Sequence, residues 1–336
     1  MCGIAGIHAY HYAANPIDRD ELCRIRDHMA ARGPDGAGVW CSQDGCIGLG
    51  HRRLAIIDLS NNGLQPMASD DGKLIITFNG EIYNYRALRS DLEARGYVFR
   101  TQTDTEVLLH LYAAKGPEMV HDLRGMFAFG LWDANKRGLL LARDPYGIKP
   151  LYYADDGWTL RFASQVKALL AGGGVSTDPE PAGWAGFLLF GSVPDPFTTY
   201  QEIRALPAGA TIWVNALGPS EPSRYYSVAK VFRKAECEAR RFSLTEIQAS
   251  VRDALRDSVR HHLVADVPVG LFLSAGIDSG SLLGVMRDLG HPHIRTITLA
   301  FEEFRGRSDD EAPRSDFTCS RHDQSRIGHA ALSATV

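Results

Sequence analysis

The sequence predicts two parts: an α+β domain of stacked antiparallel sheets covered by helices, then a shorter α/β unit built on parallel strands. Three observations point there. Up to about residue 164, short apolar runs alternate with turn signals and only a few helical patterns interrupt them, as in sheets packed under helices. Residues 268–289 read instead as an apolar strand, a small-residue loop and a helix, the repeating piece of a parallel sheet. Between about Val214 and Ser243 the chain becomes turn-rich and then charged, which marks a connection.

Composition sets the frame. The chain has 336 residues, 45% hydrophobic and 23% charged, enough apolar material for about two cores. A net charge of -4 advertises neither a nucleic-acid nor an anionic-membrane partner. No apolar run is long enough to cross a bilayer, and the first residues lack a basic region followed by an apolar core. The six cysteines, Cys2, Cys23, Cys41, Cys46, Cys237 and Cys319, form no C-x-x-C pair. That argues against a structural zinc site and fits a reducing, cytoplasmic setting.

The chain opens Met1-Cys2-Gly3-Ile4-Ala5-Gly6. Removal of Met1 would leave Cys2 with a thiol and a free α-amine, a nucleophile and a base on one residue. A free thiol titrates near about 8.5 and an α-amine near about 8, so the amine can take the thiol proton close to neutral pH. The plainer alternative is a small buried cysteine at the start of a first strand. Next, Leu22, Ile25 and Met29 share one face of a helix from about Arg19 to Arg32, stopped by Gly33-Pro34. The turn Arg32-Gly33-Pro34-Asp35-Gly36 is either a plain loop or the rim of a site.

Strands are expected at Ile47–Leu49 and Ala55–Asp58, with His51-Arg52-Arg53-Leu54 between them. Arg53 is a surface charge or a two-pronged donor to a carboxylate. Lys73–Phe78 reads as a strand that ends in Asn79-Gly80-Glu81. Asn-Gly is a common turn; alternatively, the Asn79 amide and the Gly80 N–H form an oxyanion hole. A helix from Tyr85 to Arg95 ends at Gly96, and a second follows Thr103, which pairs with Glu106 as a capping box. Asp104, at that helix start, either complements the dipole or binds an ammonium. Further strands are expected at Phe127–Trp132, Leu139–Arg143, Leu151–Ala154 and Arg161–Ser164, with Asp144-Pro145-Tyr146-Gly147 as a turn among them.

Six of these pieces, in order, resemble the glutaminase domain of class II glutamine amidotransferases. They are Cys2–Gly6, Arg32–Asp35, Gly50–Leu54, Phe78–Asn84, Thr103–Glu106 and Arg143–Tyr153. The resemblance covers Met1 to about Val214 and implies an N-terminal-nucleophile fold of four αββα layers. It implies Cys2 as nucleophile and Asn79 and Gly80 as oxyanion donors. Arg53, Glu81 and Asp104 would hold the glutamine head, and backbone groups of Leu54, Ala55, Ile56 and Ile57 would line the pocket.

The second part is expected to follow a linker over 215–242. Ser243 and Glu246 form a capping box that opens an amphipathic helix to about Leu263. Pro268–Leu273 reads as a strand buried on both faces. Ser274-Ala275-Gly276-Ile277-Asp278-Ser279 then leads into a helix to about Leu289. A small loop at a helix N-terminus is either a common strand-to-helix turn or a phosphate cradle. This loop resembles the pyrophosphate loop of N-type ATP pyrophosphatases, with Ala275 in place of a glycine. Together the two halves resemble glutamine-hydrolysing asparagine synthetases.

The combined resemblance implies glutamine hydrolysis at Cys2 and ATP- and magnesium-dependent amidation of aspartate through an acyl-adenylate. Leu273 and Leu299 would contact adenosine, and Ser274–Ser279 would hold pyrophosphate. Asp278 would reach magnesium through the pyrophosphate, and a homodimer is compatible. Only 57 residues follow Ser279, against several hundred in that family. Two parallel strands, Pro268–Leu273 and Ile294–Ala300, are legible. Large apolar residues are sparse from Arg305 to Val336, so a disordered, truncated or frame-shifted tail is expected over 305–336. Glutaminase activity without a working synthetase half is therefore the expectation. The alternatives are another class II amidotransferase, against which the Ser274–Ser279 loop argues, a β-lactam synthetase, against which Cys2 argues, and a catalytically dead glutaminase-fold remnant.

Overall fold

The computed structural model describes residues 1–238, 242–291, 294–301 and 327–334. The chain divides into two compact units, residues 1–238 and 239–336.

The first unit begins with β1 (Gly3–Ala9), α1 (Arg19–His28), β2 (Gly36–Cys41) and β3 (Ile47–Arg53). It continues through β4 (Met67–Ala68), β5 (Leu74–Ile82), α2 (Tyr85–Ala94) and α3 (Asp104–Lys115). Then come β6 (Gly125–Asp133), β7 (Gly138–Arg143), β8 (Tyr152–Asp155), β9 (Thr159–Ala163), α4 (Val166–Gly172) and α5 (Pro181–Phe190). It closes with β10 (Ile203–Ala205), β11 (Ala210–Asn215), β12 (Gly218–Pro219), β13 (Ser223–Arg224) and α6 (Val228–Cys237). Two antiparallel sheets result. One has the order β10-β8-β9-β1-β3-β2 and the other β12-β11-β7-β6-β5-β4, with β13 also on β11.

Strand alternation explains the layering. Every residue of β1 is buried. Ile4 packs between the sheets with Leu49, Trp132, Leu141, Phe162 and Val214. Its neighbours Ala5 and Ile7 face the other way, onto Leu22, Ile25 and Met29 of the α1 region and Leu169 of α4. Residues two apart share a face, so one strand serves two cores. α3 packs over β5 on the second sheet. The result is the four-layered αββα arrangement.

Several elements differ from their sequence reading. α1 stops at His28, with Met29 as its cap, one turn before Gly33. Ala55–Asp58 is not a strand: β3 runs through Arg53 instead, and Asp58 adopts a left-handed φ of 54° that turns the chain away. β5 continues through Asn79-Gly80-Glu81 to Ile82, paired with β6 along its whole length. Asn79-Gly80 is therefore strand, not turn. Gly80 is small because a Cβ there would lie 2.3 Å from the Met126 carbonyl oxygen across the sheet. Residues 215–238, expected as linker, carry β12, β13 and α6 and belong to the first unit, because Ser223–Arg224 pairs with Ala210–Thr211.

In the second unit, α7 (Leu244–His262) opens with the full Ser243–Glu246 capping box. β14 (Gly270–Phe272), α8 (Ile277–Asp288), β15 (Ile294–Phe301) and β16 (Ile327–Ala334) follow. The three strands are parallel in the order β14-β15-β16. Val259, Leu273, Leu283, Met286 and Ile294 form its core. Two expectations fail here. The 268–273 strand is not buried on both faces: Phe272 is 78% exposed, because the described helices cover only one side of the strands. Within the tail expected to lack structure, Ile327–Ala334 forms a third strand, since β15 offers it a free parallel edge. Residues 302–326 and 335–336 lie outside the described residues, as does Cys319.

Candidate active site

Cys2 sits immediately before β1, and its thiol opens into a pocket between the ends of β3, β5 and α3. The thiol lies 3.5 Å from the Leu54 carbonyl, to which it donates, and accepts from the Leu54 N–H at 3.3 Å. Burial pushes the Cys2 thiol up from its usual range; the Leu54 N–H, the N-terminal ammonium and Lys149 pull the other way. Arg32 braces the residue from behind, its Nε donating to the Cys2 carbonyl at 3.0 Å. The Arg32–Gly36 turn is thus a brace: Asp35 also accepts from the Ala55 N–H at 2.9 Å.

The open edge of β5 forms the opposite wall. β4 pairs with β5 only at Ile75 and Ile76, so beyond them this edge has no strand partner among the described residues. The Phe78 N–H instead donates to Gln65 Oε1 at 2.6 Å and the Ile82 N–H to Asp104 Oδ2 at 2.9 Å. Backbone groups two residues apart point to the same edge. The Gly80 N–H, midway between these two, therefore also points off this edge, into the pocket that Gly80 lines. Beside it, the Asn79 side-chain nitrogen is buried with no hydrogen-bond partner among the described residues. A buried unpaired donor is costly and calls for an explanation. Two donors, one side chain and one backbone, stand ready on one wall.

Charged groups line the same cavity. Arg53 is 7% exposed, and its guanidinium donates to the Ser60 carbonyl at 2.7 Å and to the Asp58 carbonyl. Asp104, 5% exposed at the first turn of α3, has its carboxyl pushed up to about 7, chiefly by burial and further by Glu81. His51 is no candidate base: burial lowers it to about 4, and its Nε2 is 3.1 Å from the Phe78 carbonyl.

The structure brings Cys2, Arg53, Leu54, Ile56, Ile57, Asn79, Gly80, Glu81 and Asp104 onto one pocket. Ala55 is absent from that lining. Gln65, Gly63, Thr103, Thr105 and Lys149 also line it and were not read as site residues. Lys149 lies within the Arg143–Tyr153 piece, but its place on the Cys2 pocket brings together residues 147 positions (149 − 2) apart in the chain.

In the second unit, the Ser274–Ser279 loop is internally tied. Ser279 Oγ accepts from the Ser274 N–H at 3.1 Å, and Ser274 Oγ accepts from the Gly276 N–H at 3.1 Å. Ala275 does not have a left-handed φ, so alanine is unstrained where a glycine was expected. Ile277 and Asp278 lie in the first turn of α8. Leu273 is buried in the core cluster, while Leu299 is 49% exposed. Among the described residues no three His, Cys, Asp or Glu side chains cluster as a metal site. No described helix is long and apolar enough to cross a membrane.

A thiol at the head of the first strand of an αββα sandwich, facing an amide nitrogen, a backbone N–H and charges of both signs, is an arrangement suited to acyl transfer from an amide. The chain belongs to the glutamine amidotransferase domain family, whose model matches residues 1–226. Residues 250–329 match the asparagine synthase family model. The chain is 39% identical to asparagine synthetase [glutamine-hydrolyzing] 1 of Bacillus subtilis over 305 residues, 90% of this chain and 46% of the relative. It is 33% identical to asparagine synthetase [glutamine-hydrolyzing] 3 of the same organism, over 90% of this chain and 48% of the relative. The chain thus spans about half the length of the curated relatives it matches. Among solved structures, it resembles glutamine phosphoribosylpyrophosphate amidotransferase from B. subtilis complexed with ADP and GMP. The TM-score is 0.51 at 16% identity, over 98% of this chain and 90% of that one, a likeness of fold.

Proposed function

We propose that the first unit hydrolyses glutamine to glutamate and ammonia at Cys2. The observation that carries the reading is the unpartnered, buried Asn79 nitrogen beside Gly80 in the Cys2 pocket. After Met1 is removed, the α-amine takes the thiol proton and the sulfur attacks the side-chain amide carbon of glutamine. Negative charge moves onto the amide oxygen, which Asn79 and the Gly80 N–H receive. Removing one such donor costs about 100-fold to 1,000-fold in rate. The tetrahedral adduct collapses, ammonia leaves with the proton held by the amine, and water hydrolyses the thioester to glutamate. Arg53 and Asp104 carry the charges that suit the α-carboxylate and α-ammonium of glutamine, with Glu81 beside them.

A glutamine analogue bearing a diazoketone in place of the amide tests this directly. The reading predicts one covalent adduct, on the Cys2 peptide, in protein shown by intact mass to lack Met1. Labelling at another cysteine, or none, would refute it.

For the second unit, the reading is an ATP-pyrophosphatase-type site of the kind at which aspartate is amidated through an adenylate. Ser274–Ser279 and the α8 N-terminus favour a pyrophosphate group. Magnesium fits as an ion carried by ATP, with Asp278 the carboxylate available at that helix start. Leu299 offers an exposed apolar surface for adenosine; Leu273 supports the loop from the core.

A further inference from the structure

We propose that Lys149 is a further residue of this site: its ammonium holds the negative charge on the Cys2 sulfur once the thiol has given up its proton. The inference rests on the glutaminase reading of the pocket.

The loop that carries Lys149 is fastened along its backbone. Asp144 Oδ2 accepts the Lys149 N–H at 2.9 Å, and Arg143 Nε donates to the Lys149 carbonyl at 3.0 Å. Lys149 is 5% exposed and lines the Cys2 pocket. Among the described residues its ammonium has no hydrogen-bond or ion-pair partner. Burying an unpaired cation is expensive, and a methionine would fill the same space without that cost.

The charged groups facing it are Glu81, Cys2, Arg32 and Asp144. Asp144 is already committed: its two oxygens accept the backbone N–H groups of Phe127, Tyr146, Ile148 and Lys149. Glu81 has a partner of its own, and Arg32 repels. Glu81 and the sulfur are thus the groups in this pocket that attract the ammonium, and of the two the sulfur has no other cation committed to it by a hydrogen bond or ion pair among the described residues. Around Cys2, the Met1 ammonium and Lys149 favour the thiolate, while burial and Asp104 oppose it; once Met1 is removed, Lys149 is the cation of the two that stays unchanged. A cation beside a thiol stabilises its anion.

The test reads the thiol without glutamine. In full-length chain lacking Met1, iodoacetamide alkylation of the Cys2 peptide is followed by mass across pH. Lys149→Met should move the alkylation midpoint up by about one pH unit, and Lys149→Arg should restore most of the shift. Glutamine kcat near pH 7 should fall about tenfold in Lys149→Met, as the thiolate fraction falls, with KM nearly unchanged. Far-UV circular dichroism checks folding, and Lys149→Gln substitutes if the methionine variant misfolds. An unmoved midpoint in a folded variant overturns the proposal. So does a rise in KM alone, which would make Lys149 a substrate-binding residue. A chain that shows the shift but never turns over glutamine would refute the functional reading and leave the influence of Lys149 on the sulfur standing.

Discussion

Asp104 couples the site to pH. Burial raises its carboxyl from 3.8 to about 7, so in the empty pocket the protonated form is favoured. Its contribution to folding stability is then fully present below 3.8 and is lost as pH rises through about 7. Substrate binding has the opposite sign. On the proposed glutaminase reading the α-ammonium of glutamine needs the ionised Asp104 carboxylate, so binding should release a proton whenever Asp104 starts protonated. KM for glutamine should rise by up to about tenfold for each pH unit below 7. Asp104→Asn should have a high KM that no longer varies over this window, which steady-state kinetics from pH 5.5 to 8 would show. Asn79 makes a different contribution, because an oxyanion exists only during reaction. Asn79→Ala should lower kcat about 100-fold to 1,000-fold with KM within a few-fold of wild type. Equal effects on KM in both variants would contradict this division.

At the scale of elements, α3 holds Asp104 in place. Thr103 accepts from the Glu106 N–H at 3.2 Å, but the Glu106 carboxylate takes the Arg100 and Thr101 N–H groups instead of returning to Thr103. Only half of the expected capping box forms. Thr103→Ala should cost about 1 kcal/mol, a fall of about 2–4 °C in the melting temperature of a unit this size, measurable by calorimetry. These elements also show what a sequence can disclose. Leu22, Ile25 and Met29 sit at helical spacing and pack on one face, so local periodicity found α1. Thr103 and Ser243 announced their helices through cap chemistry alone. Ala55–Asp58 misled because Ile56 and Ile57 suit a strand, whereas the chain bends at Asp58 to present carbonyls to Arg53. Asn79-Gly80 resembled a turn because its strand partners, Phe127 and Ala128, lie almost fifty positions on. Cys2, Asn79 and Asp104, which line one pocket, were legible as motif pieces. Lys149 lies inside the Arg143–Tyr153 piece and Gln65 in none of the pieces, and for both only the assembled sheets show that they reach the pocket.

At the scale of the whole chain, the two units differ in how much sheet is described. The first has two full sheets, with core on both sides of β1. The second has three described parallel strands with an open side at Phe272 and Leu299. A phosphate loop works only when a rigid scaffold holds its N–H groups. The chain supplied with aspartate, ATP, magnesium and free ammonia should therefore form no AMP and no asparagine. Free ammonia bypasses the first site, so any product would show that the second unit works alone. The central claim, glutamine hydrolysis at Cys2, is tested most directly by assaying glutamate and ammonia release from glutamine. Protein lacking Met1 and its folded Cys2→Ala variant are compared in parallel. Equimolar glutamate and ammonia from the first, and none above background from the second, is the predicted result. Near-normal release from the Cys2→Ala variant would contradict it.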